Sequence, residues 1–277
     1  MIEAAAKMAG SGKAVVLGCG KCSEIPLQYL GKVFDEIDLV DLDLYSLSSV
    51  ERMCQLWPET EALIHFYHAD LTGLIRQIEP NARAIVEVSN EPLPCLEKLG
   101  QLLITVEPHF WLPSGGEQYH LIVCSAILTQ LEIAVRQAVV DCFLERYPAH
   151  AQAVSFYEPW RRQAWDFARS LESAFIDHLR LLLAPGGIVY LSETVHVCWL
   201  FRPDSQTFAS EGSWVATRTS RLADYLSPQD ELLLESHWNW LMHQPEGPYW
   251  GRLYRVQAVA YRPTHRQMEL AGERDRP

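Results

Sequence analysis

The chain has 277 residues, enough for one large domain or two small ones. Its hydrophobic content of 48% and charged content of 21% are ordinary for a soluble globular protein. The net charge of −12 argues against a general affinity for nucleic acid or for an anionic membrane, and no stretch approaches the roughly 20 apolar residues of a membrane span.

The first element that the sequence predicts is a strand running into a glycine turn. Residues 13–17, KAVVL, form a short apolar run that ends in Gly-Cys-Gly at 18–20. The glycines allow a tight turn and leave no Cβ in the way of a ligand. Ser23 is the expected N-cap of the next helix, with Glu24 and Pro26 in its first turn. This order is typical of a nucleotide-cofactor site, although a turn without a ligand has the same pattern.

A strand followed by a helix is predicted twice more along the chain. Strands are expected at 36–41 and 62–67, and helices at 46–56 and 71–78, the last of them ended by Pro80. The spacing is that of right-handed βαβ units, because parallel neighbours need a crossover of about a dozen residues or more. The sequence therefore predicts a parallel sheet with helices on both faces.

The regular alternation stops near residue 80. Residues 80–118 are long for a simple connection, so we expect an inserted helix or hairpin there. Residues 119–124, YHLIVC, are the expected fourth strand. Long helical patterns follow at 126–146 and 161–183, separated by a second insertion at about 145–160 that contains prolines and aromatic residues.

The rest of the chain predicts the far half of the sheet. Ala-Pro-Gly-Gly at 184–187 ends the second long helix and leads into a strand at 188–192. The polar tail, 263–277, is expected to be frayed. After the strand we expect a loop-rich stretch at 194–220 and a short helix at 220–226. Two strands, at 232–240 and 253–261, are then expected to form an antiparallel hairpin before the tail.

Four segments resemble, in order, motifs of the class I S-adenosylmethionine-dependent methyltransferases. VVLGCGKC (15–22) resembles the glycine-rich first motif, and LVDLD (39–43) resembles the acidic end of the second strand. HAD (68–70) resembles the acid after the third strand, and LLLAPGGIVYLSE (181–193) resembles the late segment of leucine, proline and paired glycines before a strand. The resemblance covers roughly residues 13–262.

The resemblance implies one domain, residues 1–277, with an α/β fold: a doubly wound, seven-stranded, mostly parallel sheet whose last strand is antiparallel. It implies S-adenosylmethionine as cofactor and an enzyme that transfers a methyl group to a small molecule or a peptide. Two alternatives stay open. One is a non-catalytic relative that keeps the fold for binding or scaffolding, and the other is an NAD(P)-dependent oxidoreductase, against which the incomplete G-x-G-x-x-G fingerprint counts.

The implied cofactor contacts follow ordinary chemistry. A carboxylate at a strand end accepts hydrogen bonds from both ribose hydroxyls, which fits Asp41, or Asp43 if the strand ends later. Asp70 beside Leu71 fits the adenine amine and an apolar slot. Each acid also fits a solvated strand end or a helix cap. The expected cofactor-binding residues are Gly18, Cys19, Gly20, Glu24, Asp41, Asp43, Asp70, Leu71, Cys124 and Ser125.

Two positions depart from the family pattern. Many members carry an acid two residues before the first glycine, where this chain has Val16, and a third glycine, where it has Cys22. Either Glu24 and backbone carbonyls hold the cofactor's ammonium group instead, or cofactor binding is weakened. The departures favour the non-catalytic alternative.

Substrate residues are expected beyond the carboxyl ends of the fourth and fifth strands, where doubly wound sheets bind ligands. Methyl transfer needs an oriented nucleophile and, if that nucleophile is protonated, a base. Glu193 and His196 are the candidate bases, although both also fit an ordinary loop. Aromatic residues fit either the core or a flat, cationic or peptide substrate. The expected substrate-binding residues are Trp111, Thr129, Tyr157, Trp160 and Trp199.

Other chemistry has weaker support in the sequence. Cys19 and Cys22 have CxxC spacing, but no second pair completes a zinc site, so we expect no metal. The chain has seven cysteines, an odd number, and residues 1–12 lack the apolar core of a signal peptide. We therefore expect reduced thiols in a cytoplasmic protein. The fourth strand is not followed by the Asn/Asp-Pro-Pro-aromatic motif that is typical of methyltransferases acting on base or glutamine amines. With the acidic net charge, this leads us to expect neither nucleic acid nor a membrane as a partner. The oligomeric state stays open, with a homodimer as one option.

Overall fold

The computed structural model describes residues 1–57, 62–111, 116, 118–201, 210–216, 222–242 and 249–264. The strands are β1 (Lys13–Leu17), β2 (Glu36–Asp41), β3 (Leu63–His68), β4 (Tyr119–Ser125), β5 (Leu183–Phe201), β6 (Ser210–Ala216), β7 (Glu231–Met242) and β8 (Tyr249–Arg262). They form one sheet in the order β3-β2-β1-β4-β5-β8-β7, and β6 pairs with β5 outside that path. The first five strands are parallel, and β8 is antiparallel to both of its neighbours. The predicted doubly wound sheet with an antiparallel last strand is confirmed, and β6 is added to it.

Helices cover both faces of this sheet. They are α1 (Ile2–Ala9), α2 (Leu27–Val33), α3 (Leu44–Cys54), α4 (Ile75–Val88), α5 (Pro92–Thr105), α6 (Leu131–Arg146), α7 (Ala151–Phe156) and α8 (Glu158–Leu182). Side chains alternate across a strand, so Val15 and Val16 of β1 belong to different apolar clusters. The cluster around Val16 includes residues of α1, α2 and α3, and the cluster around Val15 includes residues of α4, α5, α6 and α8. No helix in the described ranges is long and apolar enough to cross a membrane.

Helix α4 continues through Pro80, where the sequence predicts an end. Pro80 removes one backbone hydrogen bond from the helix. Ile78, Ala82 and Val86 nevertheless recur every four residues, and all three are buried in the cluster around Val15. Burial of this apolar stripe outweighs the lost bond, so the helix includes residues 80–88, the first part of the stretch that the sequence assigns to the insertion.

Both predicted insertions are largely helical. The first contains α5, which begins at Pro92, a position where the missing N–H costs nothing. The second contains a short 3₁₀ turn at Pro148–His150, then α7 and the start of α8. Helix α5 packs on α8, and the hydroxyl of Tyr147 in the second insertion donates to the carbonyl oxygen of Ser89 in the first at 2.7 Å, so the two insertions are in contact.

Strand β5 is much longer than the predicted 188–192. It runs to Phe201. Its first part pairs with β4 as far as Ser192, and its last part, from His196, pairs with β6 on the same side. Strand β8 follows β5 on the other side along most of its length. Glu193, His196 and Trp199 therefore lie in a paired strand, and the predictions that the strand ends at 192 and that a loop-rich stretch begins at 194 are wrong. The pairing partners are distant in sequence, which local patterns do not reveal.

The turn after β1 is also longer than predicted. Helix α2 begins at Leu27, with Pro26 before it and no side-chain cap, so Ser23 is not its N-cap. Glu24 lies in the turn instead of the first helical turn. The side chains of Cys22 and Ile25 are buried in this segment, so the chain uses the extra residues to cover the edge of the core.

Candidate functional site

The glycine turn after β1 has three residues in the left-handed region, Gly18 (φ 67°), Gly20 (φ 52°) and Cys22 (φ 52°). A Cβ on Gly18 would lie 2.4 Å from Cδ1 of Ile127, so only glycine allows the loop after β4 to pack this closely. A Cβ on Gly20 would meet nothing within 4 Å, so space is open beside the turn. Cys22, where the family has a third glycine, keeps a backbone conformation that glycine favours.

The amides of this turn are held by β2. The N–H groups of Gly18 and Cys19 both donate to the carbonyl oxygen of Val40, at 2.8 and 3.2 Å. The N–H of Gly20 donates to Oδ2 of Asp41 at 2.7 Å, and the N–H of Asp43 donates to Oδ1 of Asp41 at 2.7 Å. A carboxylate has about four acceptor positions, so Asp41 retains about two for a ligand. Strand β2, rather than a helix N-terminus, organises this cradle.

Asp43 has a separate structural role as the N-cap of α3. Its carboxylate accepts from the N–H of Tyr45 at 2.9 Å and from the hydroxyl of Ser46 at 2.6 Å. The hydrogen bond from Ser46 lowers the pKa of the Asp43 carboxyl. Of the two alternatives for the ribose acid, this geometry favours Asp41, because Asp43 lies in the helix cap.

Asp70 organises the connection from β3 to α4. Its Oδ1 accepts from the N–H of Thr72 at 2.9 Å and from the Thr72 hydroxyl at 2.7 Å, and its Oδ2 accepts from the N–H of Ile75 at 2.9 Å. Leu71 is almost fully buried, and its carbonyl accepts from the N–H of Trp111 at 3.1 Å. An adenine amine at Asp70 would therefore have to share an oxygen with the protein's own amides.

The ends of β1, β4 and β5 meet around Ser125. Its hydroxyl donates to Oε2 of Glu24 at 3.2 Å and lies 3.0 Å from the hydroxyl oxygen of Ser192. Glu24 is exposed, and Ser192 is a buried residue that the sequence analysis did not select. Cys124, by contrast, is 1% exposed and its side chain belongs to the core, where burial raises the pKa of the thiol.

The two candidate bases differ in their surroundings. Glu193 is fully buried, and its carboxylate accepts from the hydroxyl of Thr129 at 2.9 Å and from the Thr129 N–H at 3.3 Å. In the described part of the chain, Nδ1 of His196 is buried and has no hydrogen-bond partner. Thr129 and Glu193, selected separately from the sequence, are thus in direct contact.

The predicted aromatic substrate residues mainly support the core. Trp160 is 2% exposed, and Tyr157 packs half-buried against the same cluster. The ring of Trp111 lies 5.5 Å from that of Tyr67, and its carbonyl oxygen is 2.9 Å from Nε2 of His178. The side chain of Trp199 lies outside the described residues.

A cleft of about 1270 Å³ begins at Ala126 and Thr129, just after Ser125 in the chain. Helices α6 and α8 form its walls, and parts of β5, β7 and β8 contribute further residues. Within it, the Glu132 carboxylate lies 2.8 Å from Nε of Arg136, and the Tyr225 hydroxyl donates to the Glu172 carboxylate. Burial raises the pKa of Glu132; Arg136 opposes this effect and Glu172 adds to it.

Thr129 and Trp160, both selected from the sequence as substrate-binding residues, line this cleft, but the arginines and Trp165 of its α8 wall were not predicted. The available signal was the spacing along α8, where Glu158, Arg162, Trp165, Arg169 and Glu172 recur at every third or fourth position. Among the described residues, no group of three or more His, Cys, Asp or Glu is arranged to hold a metal ion.

No family model matches the chain, and no curated protein matches it. Three solved structures illustrate the similarities found. TehB from Haemophilus influenzae is 12% identical with a TM-score of 0.43, and the match covers 91% of this chain and 57% of TehB, so this chain spans little more than half the length of TehB. NodS, an N-methyltransferase from Bradyrhizobium japonicum WM9, is 11% identical with a TM-score of 0.41, covering 95% of this chain and 92% of NodS. An S-adenosylmethionine-dependent methyltransferase from Clostridium acetobutylicum ATCC 824 is 10% identical with a TM-score of 0.44, covering 95% and 89%.

Proposed function

We propose that this protein is an S-adenosylmethionine-dependent methyltransferase acting on a small molecule or a peptide. The observation that carries the proposal is the junction of Gly20 and Asp41. There a left-handed turn with open space beside it is held by a carboxylate that keeps about two acceptor positions. The four motifs that resemble the family lie on β1, β2, β3 and β5, which are parallel, so their carboxyl ends share one edge of the sheet.

The residues at this edge fit the parts of the cofactor. Asp41 would accept the ribose hydroxyls, and the open side of Gly20 leaves room for the ligand. Glu24, exposed beside Ser125, would receive the ammonium group, a role that the fully buried Val16 cannot take. Asp70 would lie toward the adenine end of the cofactor. Its carboxylate already accepts three hydrogen bonds, so it has fewer free acceptor positions than Asp41.

When bound, the cofactor would supply a methyl group carried on a positively charged sulfur. The protein's part is to orient the nucleophile, exclude water and hold the proton that a protonated nucleophile must lose. His196 would accept that proton at Nδ1, which is buried and has no partner in the described ranges. Glu193 suits the task less well, because its carboxylate already accepts two hydrogen bonds from Thr129. Glu193 would instead fix Thr129 at the edge of the cleft.

Cofactor identity is the first test. The purified protein would be titrated calorimetrically with S-adenosylhomocysteine and, in parallel, with NAD⁺ and NADP⁺. We expect S-adenosylhomocysteine to bind and the two nicotinamide nucleotides to fail. Absence of S-adenosylhomocysteine binding at millimolar concentration would overturn the proposal, and preferential binding of a nicotinamide nucleotide would replace it with the oxidoreductase alternative.

A non-catalytic binding module is the second candidate. Two observations favour it: Val16 is buried and apolar where many family members have an acid, and both oxygens of Asp70 are engaged by its own loop. A protein of this kind would bind S-adenosylhomocysteine weakly or not at all. It would also transfer no radiolabelled methyl group to any fraction of a metabolite or peptide extract.

A further inference from the structure

The cleft between α6 and α8 has a distinctive charge pattern. Four arginines line it, although the whole chain has 35 acidic residues against 23 lysines and arginines. Two of the four have ion-pair partners: Arg136 pairs with Glu132 at 2.8 Å, and Arg161 pairs with Glu158 at 3.3 Å. No ion pair or hydrogen bond of the side chains of Arg162 and Arg169 occurs among the described residues. The unpaired positive charge of the cleft is therefore concentrated at these two side chains.

Helix geometry brings these two arginines to one wall of the cleft. Arg162, Trp165 and Arg169 are three and then four residues apart on α8, so they lie along one face of the helix. Both arginines are exposed, and Trp165 between them is 45% exposed. A large aromatic side chain with a guanidinium on each side is suited to a flat ring that carries an anionic group.

The sheet side of the cleft is also aromatic. Trp240 is 37% exposed, and its ring lies 5.9 Å from that of Tyr254 on the neighbouring strand. Both residues line the cleft with Trp165. Three glutamates also line the cleft: Glu132 and Glu158 are paired with arginine, and Glu172 accepts a hydrogen bond from the Tyr225 hydroxyl, so four arginines stand against three glutamates.

We propose that the cleft binds a methyl acceptor that is an aromatic oxyanion, a small molecule in which a ring carries a carboxylate or a phosphate. Arg162 and Arg169 would bind the oxyanion, and Trp165 would pack on the ring. The end of the cleft at Ala126 and Thr129 lies next to Ser125, where the proposed cofactor site begins. The assignment of the ligand as the methyl acceptor rests on the proposed function, whereas the assignment of its charge and shape rests on the cleft alone.

Four phenolic or phenyl probes separate these properties: 4-hydroxybenzoate, phenyl phosphate, neutral phenol and cationic tyramine. Their binding would be measured calorimetrically without cofactor, and S-adenosylhomocysteine would be titrated in a separate experiment. We expect at least one of the two anions to bind about ten-fold or more tightly than phenol and tyramine, since charge-assisted hydrogen bonds to guanidinium groups are roughly twice as strong as neutral ones. The tighter anion identifies the oxyanion as carboxylate or phosphate.

The test variant is R162Q/R169Q, and its charge-matched control is R52Q/R146Q, which changes two exposed arginines that do not line the cleft. We expect the double variant to bind the anions no better than phenol, with an unchanged affinity for S-adenosylhomocysteine and an unchanged melting temperature. R52Q/R146Q should retain the preference for the anions. Equal binding of anions and phenol by the unmodified protein, or an unchanged preference in R162Q/R169Q, would overturn the proposal. Inorganic phosphate binding as tightly as phenyl phosphate would overturn its aromatic part.

Failure of this proposal and failure of the proposed function give different results. If S-adenosylhomocysteine binds and neither anion does, the substrate assignment is wrong and the methyltransferase proposal stands. If an anion binds and S-adenosylhomocysteine does not, the cleft is an aromatic oxyanion site in a protein of another function.

Discussion

The N–H of Gly20 donates to Oδ2 of Asp41 at 2.7 Å, across 21 positions of the sequence. This bond joins the turn after β1 to the end of β2, and Oδ1 of the same carboxylate accepts from the N–H of Asp43. Asp41 therefore fixes the shape of the turn and also offers its remaining acceptor positions to a ligand. Substitutions at either residue should affect ligand affinity and loop geometry together.

Asp41→Ala should weaken S-adenosylhomocysteine binding by about 1.5–3 kcal/mol, the range expected for hydrogen bonds to a charged group. Calorimetric titration measures the loss. The control is Asp43→Ala, which removes the N-cap of α3 and should lower the melting temperature while leaving the affinity nearly unchanged. Equal losses of affinity in the two variants would show that Asp41 is not the specific ribose acid.

Gly20→Ala and Gly18→Ala should distinguish a loss of space for the ligand from a loss of packing within the protein. Both place alanine at a left-handed φ, a cost of roughly 1–2 kcal/mol. At Gly20 the new Cβ meets no protein atom, so stability should fall by that strain alone while the methyl group occupies the space proposed for the cofactor. At Gly18 the Cβ also clashes with Ile127, so the loss of stability should be larger. Urea unfolding and S-adenosylhomocysteine titration measure the two effects.

A double-mutant cycle identifies the origin of the Gly18 effect. Ile127→Ala removes the Cδ1 and Cγ1 atoms that lie 2.4 and 2.7 Å from the added Cβ. The combined variant should therefore lose less stability than the sum of the single variants. Additive losses would mean that the clash is relieved by a loop shift.

Tyr119→Phe should destabilise the fold from the opposite edge of the sheet. The Tyr119 hydroxyl donates to Oδ2 of the fully buried Asp38 at 2.5 Å, and Nζ of Lys13 lies 3.2 Å from the same oxygen. Loss of a bond to a buried carboxylate should cost about 1.5–3 kcal/mol of unfolding free energy. Tyr45→Phe, at a 67% exposed site, is the control and should change stability little. Calorimetric melting of both variants tests the difference, and an equal effect would contradict it.

His178 should make stability depend on pH. Its burial lowers the pKa of the ring, although the hydrogen bond with the Trp111 carbonyl opposes this effect. The unfolded chain, with a His pKa of about 6.5, therefore binds more protons than the folded one between the lowered pKa and about 6.5. Stability from this residue should be complete above that window and should fall as the pH drops through it. In urea unfolding at pH 5 and pH 7.5, His178→Gln should show a smaller difference than the unmodified protein, and an unchanged difference would contradict the prediction.

Local pattern was sufficient for the first half of the sheet and insufficient for the second. Strands β1 and β2 have the bounds that the sequence predicts, because each is a short apolar run with clear breakers at its ends. Helix α4 and strand β5 exceed their predicted lengths because tertiary contacts decide them: burial of Ile78 and Ala82 carries the helix past Pro80, and pairing with β6 and β8 carries the strand past Ser192.

The candidate site was predictable to the same extent. Residues at strand ends, such as Asp41 and Ser125, could be selected because parallel strands end at a common edge. The engagement of Asp70 by its own loop could not be predicted, since an acid after a strand has the same sequence signature whether it caps a loop or binds a ligand. The arginines of α8 were missed because the residues that face them across the cleft, on α6, β7 and β8, come from distant segments.

The arginines of the cleft stand on a protein whose net charge is −12. At low ionic strength, where the screening length is about 30 Å at 0.01 M, an approaching anion meets the repulsion of the whole molecule before it reaches Arg162 and Arg169. At about 0.1 M the screening length shortens to about 10 Å, and the local attraction then outweighs the distant repulsion. Moderate salt should thus accelerate the encounter of this protein with an anionic ligand, the reverse of the behaviour of proteins whose overall charge attracts their ligands.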